Sequence, residues 1–182
     1  ISGILPFDEN RNVNERFSDF TIGEIVKATF ELARTKTGAL MVIEQNVSLQ
    51  EFEKTGISLD GIISRQLLVN IFEHNTPLHD GAIIIRGNRI ISATCYLPLS
   101  DTTELSKELG TRHRAGVGVS EVTDSLTIIV SEESGKVSIA FGGQLIRNID
   151  LENLKNKLIT LQNKVIDVKR FKLWKGRKKN EE

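Results

Sequence analysis

Apolar residues recur along the chain with two spacings, and these spacings predict its main elements. Between residues 21 and 36 they follow the helical period, which predicts an amphipathic helix. Its apolar face consists of Ile22, Ile25, Val26, Thr29, Phe30 and Ala33. Gly38 is placed to end this helix. The continuous apolar run over 39–44 is short enough for a buried strand.

A second helix is predicted after Ser64, which is a good N-cap residue. Its apolar positions are Leu67, Leu68, Ile71 and Phe72. It should end near Asn75-Thr76-Pro77, because the residue before a proline is disfavoured in the helical region. We also expect one helical turn over 49–54, an extended segment over 57–63 and a short helix over 103–109.

Two pairs of apolar segments predict β-hairpins. Residues 82–86 and 89–97 flank Gly87-Asn88, a dipeptide typical of a tight turn. Both arms are rich in isoleucine, so we expect this pair at the centre of a sheet. The segments 126–130 and 136–140 form the second pair. Helices interspersed with hairpins predict an α/β fold, with a central mixed β-sheet flanked by helices in a single globular domain.

The C-terminal part of the chain predicts a helix over 150–168 and then a basic tail. The apolar positions of the helix are Leu151, Leu154, Leu158, Leu161, Val165 and Val168. This face can pack on its own domain or on a partner. In the tail, Phe171 and Trp174 alternate with cations, which suits an anionic surface or a solvated terminus. We therefore divide the chain into an arm (1–20), a domain (21–149), and a helix with tail (150–182).

Composition narrows the possible classes of protein. The chain has 182 residues, 39% of them hydrophobic, and no formal net charge. Residues 169–182 carry seven Lys or Arg and two Glu, so the rest of the chain is acidic. Nucleic-acid binding would therefore depend on the tail. A single cysteine, Cys95, excludes a disulfide within the chain, and no apolar run reaches the ~20 residues of a membrane span.

Several catalytic and nucleotide-binding motifs are absent. The chain has no Gly-x-x-x-x-Gly-Lys-Ser/Thr loop, and Gly116-x-Gly118 is not followed by the third glycine of the dinucleotide fingerprint. No Gly-x-Ser-x-Gly elbow occurs, and Cys95 lies in an apolar strand where a thiol is a poor nucleophile. A covalent mechanism is therefore not expected.

The segment Gly110-Thr111-Arg112-His113-Arg114-Ala115-Gly116 predicts an anion site. Thr111 is the expected N-cap of a helix that extends to about residue 119. Three potential cations follow in the first turn, where the helix dipole is already positive. A phosphate would relieve this repulsion, because free backbone N–H groups and guanidinium groups would bind it. The alternative is a solvated basic turn.

Two further clusters suggest a cation site. His79-Asp80-Gly81-Ala82 precedes the first hairpin, and its two small residues allow close approach of another molecule. Ser131-Glu132-Glu133 follows a buried strand. A histidine with carboxylates suits Mg²⁺ or Mn²⁺ with bound phosphate better than structural zinc. The alternatives are a turn capped by Asp80 and an exposed hairpin loop.

Taken together, Asp80-Gly81-Ala82 and Gly110-Thr111-Arg112-His113-Arg114 resemble the two signatures of the diadenylate cyclase (DAC, DisA_N) domain. The resemblance extends over 21–145 and includes Tyr96-Leu97-Pro98-Leu99 and the segment 131–135. The flanking sequence is most similar to the CdaA type. The resemblance implies condensation of two ATP into the second messenger cyclic di-AMP, with release of two pyrophosphates, in a face-to-face homodimer.

The resemblance also implies a role for each matching residue. Asp80 would bind the divalent cation (Mg²⁺ or Mn²⁺) and help activate the ribose 3′-hydroxyl, with His79 and Glu133 as further metal ligands. The phosphates would be bound by Thr111, Arg112 and His113. Ser131 and Glu132 would line the triphosphate, Tyr96 and Leu97 would seat adenine, and Gly81 and Ala82 would leave room for the nucleotide.

The CdaA type further implies a membrane anchor before Ile1, which would hold this soluble part at the cytoplasmic face of the membrane. It implies two partners, a membrane regulator of the CdaR type and phosphoglucosamine mutase. Two other functions remain open on the residues alone. A nucleotide sensor would keep the pocket without the chemistry, and a nucleic-acid-binding protein would use the basic tail.

Overall fold

The computed structural model describes residues 18–163, which form one seven-stranded mixed sheet with helices on both faces. The elements are α1 (Asp19–Arg34), β1 (Ala39–Ile43), α2 (Gln50–Glu53), β2 (Ile57–Ile62), α3 (Arg65–Ile71), β3 (Ala82–Arg86), β4 (Arg89–Cys95), α4 (Thr111–Val122), β5 (Leu126–Val130), β6 (Val137–Phe141), β7 (Gln144–Ile146) and α5 (151–163). The strand order is β2-β4-β3-β1-β5-β6-β7. The pair β1 and β3 is parallel, and the other five pairs are antiparallel.

The central strands are apolar throughout because both faces of the sheet are covered. All residues of β1 and β5 are buried. Alternate side chains of β1 point to opposite faces: Met41 belongs to the core beneath α1, α3 and α5, and Leu40 to the core beneath α4. Two separate cores therefore hold the sheet between helices, and polar segments are confined to the ends of the strands.

Helix α4 lies unusually close to the sheet because two of its residues are glycines. A Cβ on Gly116 would lie 2.7 Å from Ile129 Cδ1, and one on Gly118 would collide with the Pro98 carbonyl oxygen. The Ser100 N–H also donates to the Arg114 carbonyl at 3.0 Å. These two glycines are not part of a dinucleotide-binding motif. They allow α4 to pack closely against β5 and against the segment that follows β4.

Most predicted elements are confirmed. Helices α1, α2 and α3, both hairpins and the position of β3 and β4 inside the sheet agree with the sequence pattern. The Ser64 hydroxyl caps α3 by accepting from the Leu67 N–H. In α5, Leu154, Leu158 and Leu161 pack into the core of their own domain, whereas Leu151 is exposed. The arm over 1–17, Val165, Val168 and the basic tail lie outside the described residues.

Two predictions about elements are wrong, and one strand was not predicted. Residues 103–109 form turns instead of a helix, because the hydroxyls of Thr102 and Ser106 accept from the backbone N–H groups of Glu104 and Glu108. The N-cap of α4 is Gly110, and Thr111 is the first helical residue. The sequence pattern missed β7, which has three residues and an exposed surface. Within residues 18–163 no helix is both long and apolar enough to cross a bilayer.

Truncation of α5 side chains should show that this helix belongs to the fold. Leu154 is fully buried, so we expect Leu154→Ala to lower the free energy of unfolding by about 2–5 kcal/mol through lost burial and a new cavity. The exposed Leu151 is the control, and Leu151→Ala should cost less than about 1 kcal/mol. Urea denaturation measures both, and equal losses would contradict the packing of α5.

Candidate active site

The register of the sheet brings three predicted site segments to one edge, together with Gly38. Because β1 and β3 are parallel, Gly38 and Gly81 both precede their strands at this edge. Ala39 pairs with Val130 and Ala82 pairs with Cys95 in antiparallel register, so the segments after β5 and β4 emerge there too. Tyr96 and Ser131 are then three strand spacings apart, about 14 Å. The strand ends from Tyr96 through Gly81 and Gly38 to Ser131 therefore form one continuous strip of the molecular surface.

The N-terminus of α4 meets this strip through Arg112. Its Nη1 lies 3.0 Å from Glu132 Oε2, in the loop after β5. On the other side, the guanidinium packs directly on Gly38, where a Cβ would lie 2.5 Å from Cζ. Gly38 therefore has a second role besides its position after α1, because its missing side chain leaves space for the Arg112 guanidinium. The predicted repulsion among cations in this turn is partly relieved by Glu132.

A cleft of about 610 Å³ opens between the start of α4 and the loop after β5. No side chain caps the first N–H groups of α4, so they are available to an anion. The predicted phosphate-binding residues all line this cleft together with residues that were not predicted. Its lining includes Thr111, Arg112, His113, Ser131, Glu132, Glu133, Lys136, Ser138 and Arg147.

His113 is the buried titratable group of the cleft, with 7% of its surface exposed. Burial lowers the pKa of His113, and the positive charges of Arg147 and Arg112 lower it further, against a smaller opposing effect of Glu133. At neutral pH the imidazole is therefore uncharged. It can offer a phosphate one ring N–H as a hydrogen-bond donor, while the permanent charge comes from Arg112.

His79 and Asp80 form an acidic corner beside Arg112. The His79 Nδ1 lies 2.6 Å from the Thr76 carbonyl, which can only accept, so Nδ1 carries a proton. In the neutral ring, Nε2 is then an acceptor, yet it lies 3.3 Å from the Asp80 carboxylate. A cation between Nε2 and the carboxylate would satisfy both acceptors. A backbone carbonyl behind a histidine is also the usual support of a metal ligand.

A second cavity, of about 400 Å³, is shared by His79, Arg112 and Glu132. His79 of the acidic corner and Arg112 of the cationic turn thus open into a common space, whereas Asp80 lines neither of the two cavities. Glu133 lines the first cleft instead. Among residues 18–163, no group of three His, Cys, Asp or Glu side chains is arranged to hold a metal ion. The three predicted ligands therefore do not converge, and the structure brings only His79 and Asp80 together.

The predicted adenine seat lies at the β4 end of the strip. Tyr96 is 78% exposed, and its backbone N–H already donates to Thr55 Oγ1 at 2.8 Å. Leu97 is partly buried against the core beneath α4. Gly81 has a φ of +79°, and a Cβ there would lie 2.9 Å from the Cys95 carbonyl oxygen. Neither Tyr96 nor Leu97 lines the two cavities described above.

Two further residues bear on the chemistry. Cys95 is buried, and burial raises the pKa of its thiol, which agrees with its expected role as a core residue. Arg147 follows β7 and lines the cleft at the start of α4, although no motif marked it. A correct prediction of β7 would have placed Arg147 at the edge with the other site residues.

Comparison with known proteins identifies similar sequences and folds. Residues 26–145 match the DAC family, described as DisA bacterial checkpoint controller nucleotide-binding. The chain is 49% identical over 168 residues to the diadenylate cyclase of Listeria monocytogenes, covering 90% of this chain and 61% of that protein. It is 55% identical over 138 residues to the cyclic di-AMP synthase CdaA of Bacillus subtilis, covering 76% of this chain and 50% of that protein. The chain thus spans less than two thirds of these curated relatives.

Two solved structures share the fold. The crystal structure of a double mutant of DacA from Staphylococcus aureus superposes with a TM-score of 0.77 at 48% identity. This match covers 78% of this chain and 95% of that one. A hypothetical membrane spanning protein from Bacillus cereus gives a TM-score of 0.68 at 43% identity, over 70% of this chain and 63% of that one.

The buried His113 should make stability depend on pH in a defined direction. Because its pKa is lowered in the folded state, the unfolded chain binds the proton more readily. Its contribution therefore lowers the free energy of unfolding as the pH falls below the ordinary histidine pKa of about 6.5. We expect His113→Gln to lose less stability than the wild type between pH 7 and pH 5, measured by urea denaturation. A steeper loss in the variant would contradict the sign.

Proposed function

The chain belongs to the diadenylate cyclase (DAC) family, and from this premise we propose that it condenses two ATP molecules into cyclic di-AMP and two pyrophosphates. The observation that carries the proposal is the cavity shared by His79 and Arg112. It joins a corner fit for a cation to a turn fit for phosphate. A nucleoside triphosphate with its divalent cation would fit both parts, with the cation at the corner and the phosphates at the turn.

The phosphates would bind at the start of α4. The uncapped N–H groups near Thr111, the Arg112 guanidinium and the His113 ring are the donors. Glu132 would hold Arg112 in position before the nucleotide arrives. The Ser131 hydroxyl, which accepts from the Ser134 N–H at 3.3 Å, keeps its own proton for a phosphate oxygen. Catalysis here consists of positioning and neutralisation of charge.

We propose that Mg²⁺ or Mn²⁺ is the cofactor and that His79 Nε2 and Asp80 hold it. The facing acceptors of this pair fit a cation, and a carboxylate together with phosphate oxygens suits Mg²⁺ or Mn²⁺. The remaining ligands would be phosphate oxygens, because no third side chain joins the pair among residues 18–163. Glu133, which the family resemblance gives as a further ligand, lines the cleft at the start of α4 and does not join this pair. When bound, the ion would offset negative charge on the α-phosphate.

Asp80 would also accept the proton of the attacking hydroxyl. Its carboxylate is 84% exposed at the strip and does not form part of the core. The 3′-oxygen of one nucleotide forms a bond to the α-phosphorus of the other, and the bond from that phosphorus to the pyrophosphate oxygen breaks. Two such steps close the ring. Tyr96 and Leu97 would contact adenine. That Gly81 and Ala82 leave room for the nucleotide stays a prediction, since Ala82 is buried and a Cβ on Gly81 would meet the Cys95 carbonyl oxygen.

Two copies of the chain are needed for this reaction. One strip accommodates one nucleotide, so the second ATP must be presented by another copy facing it. Reciprocal attack requires a two-fold arrangement in which the same surface contributes from each side. The exposure of Tyr96 and Asp80 supports an open strip of this kind. A single copy would bind ATP without turnover.

We also propose the cellular setting. The similar Bacillus cereus protein is described as membrane spanning, which supports a membrane anchor for this chain. A place at the cytoplasmic face is what the CdaA resemblance implies. A regulator of the CdaR type and phosphoglucosamine mutase are the partners that the CdaA resemblance suggests. A nucleotide sensor is the rival function, but a carboxylate beside bound phosphate would serve it poorly.

Conversion of ATP tests the function directly. With Mn²⁺, the chain should yield cyclic di-AMP on chromatography, and product formed per mole of protein should fall on dilution as the dimer separates. Asp80→Asn should reduce the rate at least about 100-fold, since general base catalysis contributes that much or more. In mixtures with wild-type chains it should yield a linear dinucleotide, because one hydroxyl lacks its base. Recovery of unreacted ATP at every protein concentration would favour a sensor.

The position of Arg112 can be disturbed without changing its charge. The extra methyl of Gly38→Ala would overlap the guanidinium, so ATP affinity should fall about 10-fold, the value of a lost charged hydrogen bond. Gly23→Ala is the matched control, because a Cβ there meets nothing within 4 Å. It should leave affinity within about twofold. Calorimetry measures both, and equal effects would remove the role given to Gly38.

A further inference from the structure

The edge that carries the site continues beyond β5. Val130 pairs with Val137, so Lys136, which precedes β6, lies at the same edge as Ser131. Ile139 pairs with Ile146 in antiparallel register, which places Arg147 opposite Ser138. The Ile149 N–H donates to the Val137 carbonyl at 2.8 Å and holds this segment against β6. Two more strands therefore present cations to the strip.

Arg147 and Lys136 differ from Arg112 in their charge environment. Both line the cleft of about 610 Å³, next to Thr111, His113 and Ser131. Arg112 is paired with Glu132 at 3.0 Å, whereas neither Arg147 nor Lys136 has a carboxylate within 4 Å in the part of the chain that the structure describes. Their positive charge is therefore not neutralised by the protein.

The charge of Arg147 acts inside the cleft and not only at its rim. Arg147 lowers the pKa of the buried His113 more than Arg112 does, although Arg112 is the neighbour of His113 in sequence. Electrostatic influence falls with distance and with solvent screening. The guanidinium of Arg147 is thus well placed to act on an anion bound beside His113.

We propose that Arg147, together with Lys136, binds the β- and γ-phosphates of ATP. This inference rests on the proposed cyclase function, which places the α-phosphate beside Arg112 and the acidic corner. The two terminal phosphates then extend toward the β6–β7 end of the strip. A guanidinium can donate two hydrogen bonds to one phosphate. It would also stabilise the charge that pyrophosphate gains on leaving, and the cyclic product has no group for it to bind.

The test compares two ligands that differ only in the terminal phosphates. 3′-Deoxy-ATP lacks the attacking hydroxyl and cannot react, and 3′-deoxy-AMP lacks the β- and γ-phosphates as well. By calorimetry on the full chain, Arg147→Ala should bind 3′-deoxy-ATP about 10-fold more weakly. Its affinity for 3′-deoxy-AMP should stay within about twofold of the wild type. Arg147→Lys should recover part of the loss through its charge.

Lys27→Ala is the matched control, since it removes one exposed positive charge on α1 and lines neither cavity. It should leave both affinities unchanged. If Arg147→Ala binds 3′-deoxy-ATP as the wild type does, or weakens both ligands equally, the inference is overturned.

Assays for cyclic di-AMP separate this inference from the proposed function. A wild-type chain that forms no product, together with a selective loss of 3′-deoxy-ATP affinity in Arg147→Ala, would overturn the cyclase function and leave the phosphate site supported. An active wild type with unchanged affinity in the variant would overturn the phosphate site alone.

Discussion

The contact of Arg112 with Gly38 and Glu132 is the constraint on which the site depends. It joins three parts of the chain that are far apart in sequence: the start of β1, the first turn of α4 and the loop after β5. On one side the guanidinium fits only because Gly38 has no side chain, and on the other side it pairs with the Glu132 carboxylate. Without either, a flexible cation at a helix N-terminus would repel its neighbours and face many directions.

The two cores of the domain support this arrangement from behind. Helices cover both faces of β1, β3 and β5, and these strands are hydrogen-bonded neighbours in the sheet. The ends of the strands are therefore held at fixed positions relative to each other. Loops attached to fixed strand ends hold their side chains with little freedom. This explains why segments with high local polarity, such as 131–135, can contribute to a defined site.

Much of the fold follows from the spacing of apolar residues, and the site follows only in part. The helical stripe of α1 and the isoleucine-rich hairpin are local signals, and both are confirmed. The turns over 103–109 are not helical because hydroxyl groups compete for backbone N–H groups. Gly38 illustrates the harder case, since its contact with Arg112 exists only once β1 and α4 have met. Arg147 was not predicted as a site residue because β7, which precedes it, is too short to give a periodic pattern of apolar residues.

The contact of Gly118 with the Pro98 carbonyl has a consequence for how ligands are chosen. It leaves no gap between α4 and the segment that carries Tyr96 and Leu97. The segment proposed to contact adenine and the helix proposed to bind phosphate are therefore packed together before a nucleotide arrives. Binding would then cost little conformational entropy for ordering these two parts of the chain.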